Sequence, residues 1–134
     1  MTTLLITHPS FLAHDTGAWH PERPDRMRAI DKVLGHDMFK GLKRIEAPLR
    51  DDVEVHIGLA HPQEFLLKIK AAAETVRKAR EPLHIDGDTV MSAGTWEAAV
   101  RAVSAGLEAV DKVFAGEVNN AFCQVRPCGH HAEA

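Results

Sequence analysis

The 134-residue chain contains no tyrosine, so no step that needs a phenolic hydroxyl can be supplied from within it. Its two cysteines, Cys123 and Cys128, do not form a C-x-x-C pair. Two cysteines are too few for a disulfide framework or a structural zinc knuckle, and both read as reduced thiols. An excess of positive charge is also lacking. Sixteen Lys and Arg face nineteen Asp and Glu, for a net charge of −3. That balance argues against general binding to nucleic acid or to an anionic membrane. No apolar stretch approaches membrane-spanning length, and the N-terminus lacks a basic region followed by an apolar one. The expectation is a soluble, cytoplasmic protein with neither nucleic acid nor membrane as a partner. Repeats, low-complexity runs and linkers are missing, which fits one small domain with its own core.

What is present alternates between strand-like and helix-like segments. Leu4-Leu5-Ile6-Thr7 reads as an opening strand that ends at Pro9. The stretch from Phe11 to Pro24 reads as loop, because two prolines within four residues, Pro21 and Pro24, exclude a regular helix. Met27, Ile30, Val33 and Leu34 repeat at helical spacing and predict a helix over 25–34, stopped at Gly35. A short strand follows over 42–47, then a short helix over 53–57. Pro62 suits the first turn of a helix reaching Ala79, with Phe65, Leu66, Ile69, Ala72, Ala73 and Val76 on its apolar face. Asp86-Gly87-Asp88-Thr89 reads as a polar turn. A long helix over 95–115 carries an apolar stripe of Trp96, Ala99, Val100, Val103, Leu107, Val110 and Phe114, read as its buried side. Asn120 to Val125 reads as a last strand, broken by Arg126-Pro127. Alternating strands and helices imply an α/β fold with a mostly parallel sheet. The strands are few for the helices that must cover them, so the sheet is expected to be incomplete within this chain.

Chemistry concentrates in Cys128-Gly129-His130-His131. Two adjacent imidazoles after a glycine and an apolar run are seldom needed for packing. A loop at the C-terminal end of a buried strand is where open α/β sheets bind ligands. Neutral imidazole is a base near pH 7 whose affinity for a proton moves with burial and neighbouring charge. Gly129 would permit a backbone geometry that a Cβ resists. The competing reading is two surface histidines.

Three segments, in this order, resemble one family. His20-Pro21-Glu22-Arg23-Pro24-Asp25-Arg26 with Met27-Arg28-Ala29-Ile30 resembles the HPERPxRxxAI signature of histone-deacetylase-like enzymes. Asp86-Gly87-Asp88-Thr89 followed by Trp96-Glu97-Ala98-Ala99 resembles that family's DTY…EAA segment. Val125-Arg126-Pro127-Cys128-Gly129-His130-His131-Ala132-Glu133 resembles its RPPGHHAE motif. The His14-Asp15-Thr16-Gly17 loop is similar to the class II branch, which includes bacterial acetylpolyamine and acetoin-utilisation relatives.

The resemblance implies a three-layer arginase/deacetylase-like α/β fold, with residues 1–134 as the N-terminal portion of a single catalytic domain. It implies a zinc-dependent amide hydrolase that removes acyl groups from lysine or polyamine amines. By motif match, His131 would shuttle the proton to the leaving amine, and His130 would orient the attacking water. Asp88 matches a rim aspartate that binds substrate, and Gly129 joins it as a substrate-binding position. Without the resemblance, Asp88 would be read as an Asx-type turn residue. Arg26 matches an arginine of the product channel, where a guanidinium suits a carboxylate product. Its alternative is a first-turn helix arginine paired with Asp25 or Glu22. His20, Glu22 and Arg23 read as a structural loop network. His8, His36, His56, His61 and His84 read as loop or core residues rather than ligands.

The chain departs from the family pattern in two respects. The family's zinc ligands, an Asp-x-His pair and a later Asp, follow the His-His motif, as does its transition-state Tyr. None of these positions occurs here, so zinc is expected for the complete domain and no metal ligand is expected in this chain. Cys128 stands where the family usually has Pro. Two functions therefore compete. One is a deacetylase of which this chain carries the acid–base part. The other is a non-catalytic truncated paralogue that binds a partner, oligomerises, or meets a completing polypeptide.

Overall fold

A computed structural model describes residues 1–129. Strand β1 (Thr3–Thr7) lies at the centre of a three-stranded sheet, between β2 (Lys43–Glu46) and β5 (Asn120–Cys123). Both neighbours run parallel to it, with Leu5 level with Arg44 on one side and with Phe122 on the other. The helices are α1 (Asp25–Leu34), α2 (Val53–Ile57), α3 (Gln63–Ala79) and α4 (Thr95–Phe114). A two-stranded antiparallel hairpin, β3 (Leu83–His84) and β4 (Val90–Met91), separates α3 from α4. Among the described residues, no helix is long and apolar enough to cross a membrane.

Side chains alternate along β1 as a strand requires. Leu4 and Ile6 enter the core cluster with Phe11, Ala98, Ala105 and Ala109. Their level partners on β5, Ala121 and Cys123, pack on the same cluster. The Cys123 thiol points at the Ala105 carbonyl, 3.6 Å away, which places α4 on this face. Just past β5 the chain meets α1. There the Gln124 amide nitrogen donates to the Met27 carbonyl at 3.3 Å and to Asp31 Oδ1 at 2.7 Å.

The structure corrects three sequence expectations. First, the long helix does not bury its large apolar stripe. It buries Ala98, Ser104, Ala105 and Ala109 with Val100, while Val110 lies exposed and Phe114 is 88 % exposed. Small residues let the helix axis approach the sheet closely, and the larger ones then fall on the outward side. Second, β5 ends at Cys123, so Gln124 and Val125 already belong to the loop. Third, Pro9–Leu12 forms a short 3₁₀ turn where loop was expected, capped by the His8 ring accepting the Ser10 N–H at 3.0 Å. The β3–β4 hairpin was read only as its polar turn. Two-residue strands carry too little alternation to register in a sequence.

Candidate active site

Because β1 and β5 run parallel, the loops leaving both emerge at one edge of the sheet. Gly94, at the start of α4, brings the first of these loops against that helix. A Cβ on Gly94 would lie 2.4 Å from the Ala13 carbonyl oxygen, so only glycine permits the approach. The next residue, His14, then reaches the first residue of α4, with Nδ1 2.8 Å from Thr95 Oγ1. The Asp15 N–H donates to Ser92 Oγ at 2.8 Å, which seals the same seam.

Arg126 leaves β5 into the middle of this arrangement and is 2 % exposed. Its Nε and Nη2 donate to the two carboxylate oxygens of Glu22 at 2.6 and 2.8 Å. Its Nη1 donates to the carbonyls of Phe11 and His14 at 2.7 and 2.8 Å. Glu22 also faces His14 Nε2 at 3.4 Å and Arg26 Nη1 at 3.8 Å. Thr16 closes the loop by donating its hydroxyl to the Glu22 carbonyl.

These groups set one another's protonation. Burial works against ionisation of Glu22. The hydrogen bond and charge of Arg126, helped by His14 and Arg26, outweigh it and hold the carboxyl below its usual range. Burial, and then the Arg126 charge, lower the proton affinity of His14, against the opposing pull of Glu22. His14 is therefore a neutral imidazole at pH 7, presenting Nε2–H to the carboxylate and accepting the Thr95 hydroxyl at Nδ1.

A second ring couples this core to the hairpin. His20 Nδ1 accepts the Glu22 N–H at 3.1 Å, and its Nε2 donates to the Asp88 carbonyl at 2.8 Å. Within the turn it is the Asp86 carboxylate that accepts the N–H groups of Asp88 and Thr89, at 3.1 and 2.9 Å. The turn-holding role therefore falls to Asp86 rather than Asp88.

Beside α1 lies a cavity of about 100 Å³, lined by Arg26, Met27, Ile30, Phe122, Gln124 and Arg126 among others. Gln124 is 2 % exposed, and its Oε1 has no partner among the described residues. Also among the described residues, no three His, Cys, Asp or Glu side chains group into a metal site.

The model of the histone deacetylase domain matches residues 20–134 of the sequence. The chain belongs to the histone deacetylase family. Of its relatives, a probable deacetylase of Archaeoglobus fulgidus is 28 % identical, over 99 % of this chain and 36 % of the relative. The polyamine deacetylase HDAC10 of Homo sapiens is 29 % identical, over 99 % of this chain and 20 % of that protein. The crystal structure of the HDA15 HD domain superposes with a TM-score of 0.81 at 26 % identity, covering 98 % of this chain and 37 % of that one. The α/β architecture with its parallel sheet is thus that of part of a histone deacetylase domain. This chain spans about a third of the HDA15 domain and less than half of either curated relative.

Within this family member, the structure brings some sequence-identified residues together and not others. His130 and His131 lie outside the described residues. Gly129 has no left-handed φ, and among the described residues nothing stands within 4 Å of where its Cβ would be. The special backbone geometry expected there is not observed. Asp88 is exposed on the hairpin turn, its carbonyl held by His20. Arg26 borders the small cavity with its side chain 59 % exposed, and it faces Glu22. The contact with Glu22 is the alternative reading of this arginine. His20 and Glu22 form the expected loop network, whereas Arg23 only pairs with Asp25 on the surface. Sequence reasoning placed His14 in a family-like loop that could border a pocket without giving it a role, and it missed Arg126, Thr95 and Gly94 as parts of this arrangement. The signal was faint: a lone arginine after an apolar strand carries no periodicity that reveals its burial.

Proposed function

We propose that this chain is part of a zinc-dependent amide hydrolase that removes acetyl groups from lysine or polyamine amines. The observation that carries the reading is the buried Arg126–Glu22 pair, with Nε to Oε1 at 2.6 Å. It joins the loop of the first signature segment to the arginine of the last one. His131 is assigned as the proton shuttle to the leaving amine and His130 as the group that orients the attacking water. Asp88 and Gly129 are assigned to the substrate rim, and Arg26 to the release of the carboxylate product. By the resemblance, zinc is expected for the complete domain, its ligands following the His130–His131 motif; among the described residues no donor set fits a zinc ion. The deacetylases among the relatives, including a histone-deacetylase-like amidohydrolase of Pseudomonas aeruginosa, support acetylated amines as the substrate class.

The test begins with the intact mass of the native gene product. Its zinc-supplemented hydrolysis of an acetyl-lysine peptide and of an N-acetylated polyamine is then measured. Amine release that disappears in His131→Asn supports the assignment. A native product of 134 residues that releases no amine from either substrate refutes it and favours a binding or oligomerising role.

A further inference from the structure

The rim assignment leaves open what holds Asp88 in place. The hairpin that carries it has strands of two residues each, Leu83–His84 and Val90–Met91, and strand pairing on that scale is marginal by itself. Residues 85–89, which form the turn, are all exposed, so packing does not fix it. Hydrogen bonds do. Within the turn the Asp86 carboxylate accepts the Asp88 N–H. From outside it, the His20 ring donates Nε2–H to the Asp88 carbonyl at 2.8 Å, across 68 residues of sequence. Among the described residues, no other hydrogen bond reaches residues 85–89 from outside the hairpin. The N–H and the carbonyl of Asp88 are thus both held, which fixes the Cα that bears the carboxylate. His20 is itself anchored. Its Nδ1 accepts the Glu22 N–H at 3.1 Å, and the Glu22 carboxylate is gripped by the buried Arg126. The ring therefore ties an exposed turn to a buried network.

We propose that His20 is a positioning residue for Asp88, setting where its carboxylate meets substrate. The inference rests on the deacetylase reading, with its rim assignment, for its kinetic consequence, but not for its structural one. Two substitutions separate the roles of the ring. An asparagine amide ends near the place of Nδ1, so His20→Asn keeps a group for the Glu22 N–H and removes the donor to Asp88. A glutamine amide reaches the place of Nε2, so His20→Gln keeps that donor. In the native gene product, His20→Asn is expected to raise KM for an acetylated substrate about fivefold, the scale of one hydrogen bond, while kcat changes by less than about twofold. His20→Gln is expected to recover most of that loss. Because the effect runs through Asp88, His20→Asn added to Asp88→Asn should raise KM no further than Asp88→Asn does.

The second readout does not depend on activity. The Asp88 carbonyl shares its peptide group with the Thr89 nitrogen, so the Thr89 ¹H–¹⁵N resonance is expected to shift in His20→Asn and to return toward its wild-type place in His20→Gln. It is expected to stay in place in Arg77→Lys, a change to an exposed pair on α3. Folding of each variant is checked by circular dichroism, and His20→Ala, which also lacks the donor, serves if His20→Asn does not fold. An unmoved Thr89 resonance, an unchanged KM, or a double variant whose two effects multiply overturns the proposal. An unchanged KM in Asp88→Asn sinks the rim assignment and the positioning role with it. If the wild-type product hydrolyses no acetylated amine, the deacetylase reading fails, while the Thr89 resonance still decides whether His20 holds the turn.

Discussion

Gly94→Ala isolates the closest approach that builds the site. The added Cβ would sit 2.4 Å from the Ala13 carbonyl oxygen and 2.7 Å from the Ala13 Cβ. Neither atom is the tip of a flexible side chain, so the backbone at Ala13 must retreat by roughly 1 Å to restore ordinary contact. His14 moves with it, and its 2.8 Å bond to Thr95 is lost or stretched. Overpacking of this kind costs about 1–3 kcal/mol, and a buried hydrogen bond about 1 kcal/mol. Against this, alanine restricts the unfolded chain by about 0.4–1 kcal/mol. The expected net loss is about 2 kcal/mol, or a fall of roughly 6–10 °C in Tm for a chain of this size. Gly106→Ala is the internal comparison. It lies inside α4 with nothing within 4 Å of the new Cβ, so it should gain about 0.5–1 kcal/mol. Urea unfolding followed by circular dichroism measures both. A Gly94→Ala protein as stable as wild type would refute the claim that this glycine sets the loop against α4.

Stability should also fall with acid. His14 binds a proton more weakly when folded than its ordinary value of 6.5, so lowering the pH below 6.5 charges the unfolded chain first and destabilises the fold. Glu22, held below its ordinary 4.5, contributes stability that is present above that pH and lost as the pH falls through its folded value. Urea midpoints between pH 8 and pH 4 should be flat above 7 and decline below about 6.5, and His14→Gln should flatten the upper part of that decline. If Asp88 serves the substrate rim, Asp88→Asn raises KM for an acetylated substrate several-fold with little change in kcat, as steady-state kinetics of the native gene product would show. Cys128→Pro should leave its deacetylation rate within about twofold, since the side chain is exposed and nothing among the described residues depends on it. Burial pushes the Cys123 thiol up, so a thiol reagent should modify Cys128 well before Cys123, with mass spectrometry after limited labelling as the check.

Elements with strong local signals were legible in the sequence. The helix over 25–34 is observed at Asp25–Leu34, and that over 53–57 at Val53–Ile57. Here periodicity and turn residues agree with the tertiary structure. The buried face of α4 was not legible. The helix is apolar on two sides, and ranking residues by size selects Val103, Val110 and Phe114, which turn outward. The sheet instead accepts Ala98, Ala105 and Ala109, because close approach of a helix to strands favours the smallest side chains. Gln124 was hidden for a related reason. A polar residue read at the end of an apolar strand carries no signal that it is buried, yet its amide ties the chain just past β5 to α1 at Asp31.

The site was legible as motifs and illegible as an object. The segments His20–Arg26 and Val125–His131 can each be read by eye, but nothing in either indicates that Glu22 grips Arg126 across 104 residues of sequence. An ion pair has no period, and its partners need only meet in space. What makes them meet is the parallel register of β1 and β5, with Ile6 level with Cys123. Parallel strands discharge their following loops at the same sheet edge, and the loop after β1 there carries Phe11 and His14 directly to the residue that follows β5. Had β5 been antiparallel, Arg126 would leave at the opposite edge, and the carbonyls of Phe11 and His14 would be out of its reach. Strand direction, set by the crossover helices between β1 and β5, therefore turns separate signature segments into one buried network. A variant that weakens the network without unfolding the sheet separates the contribution of the motif from that of the fold.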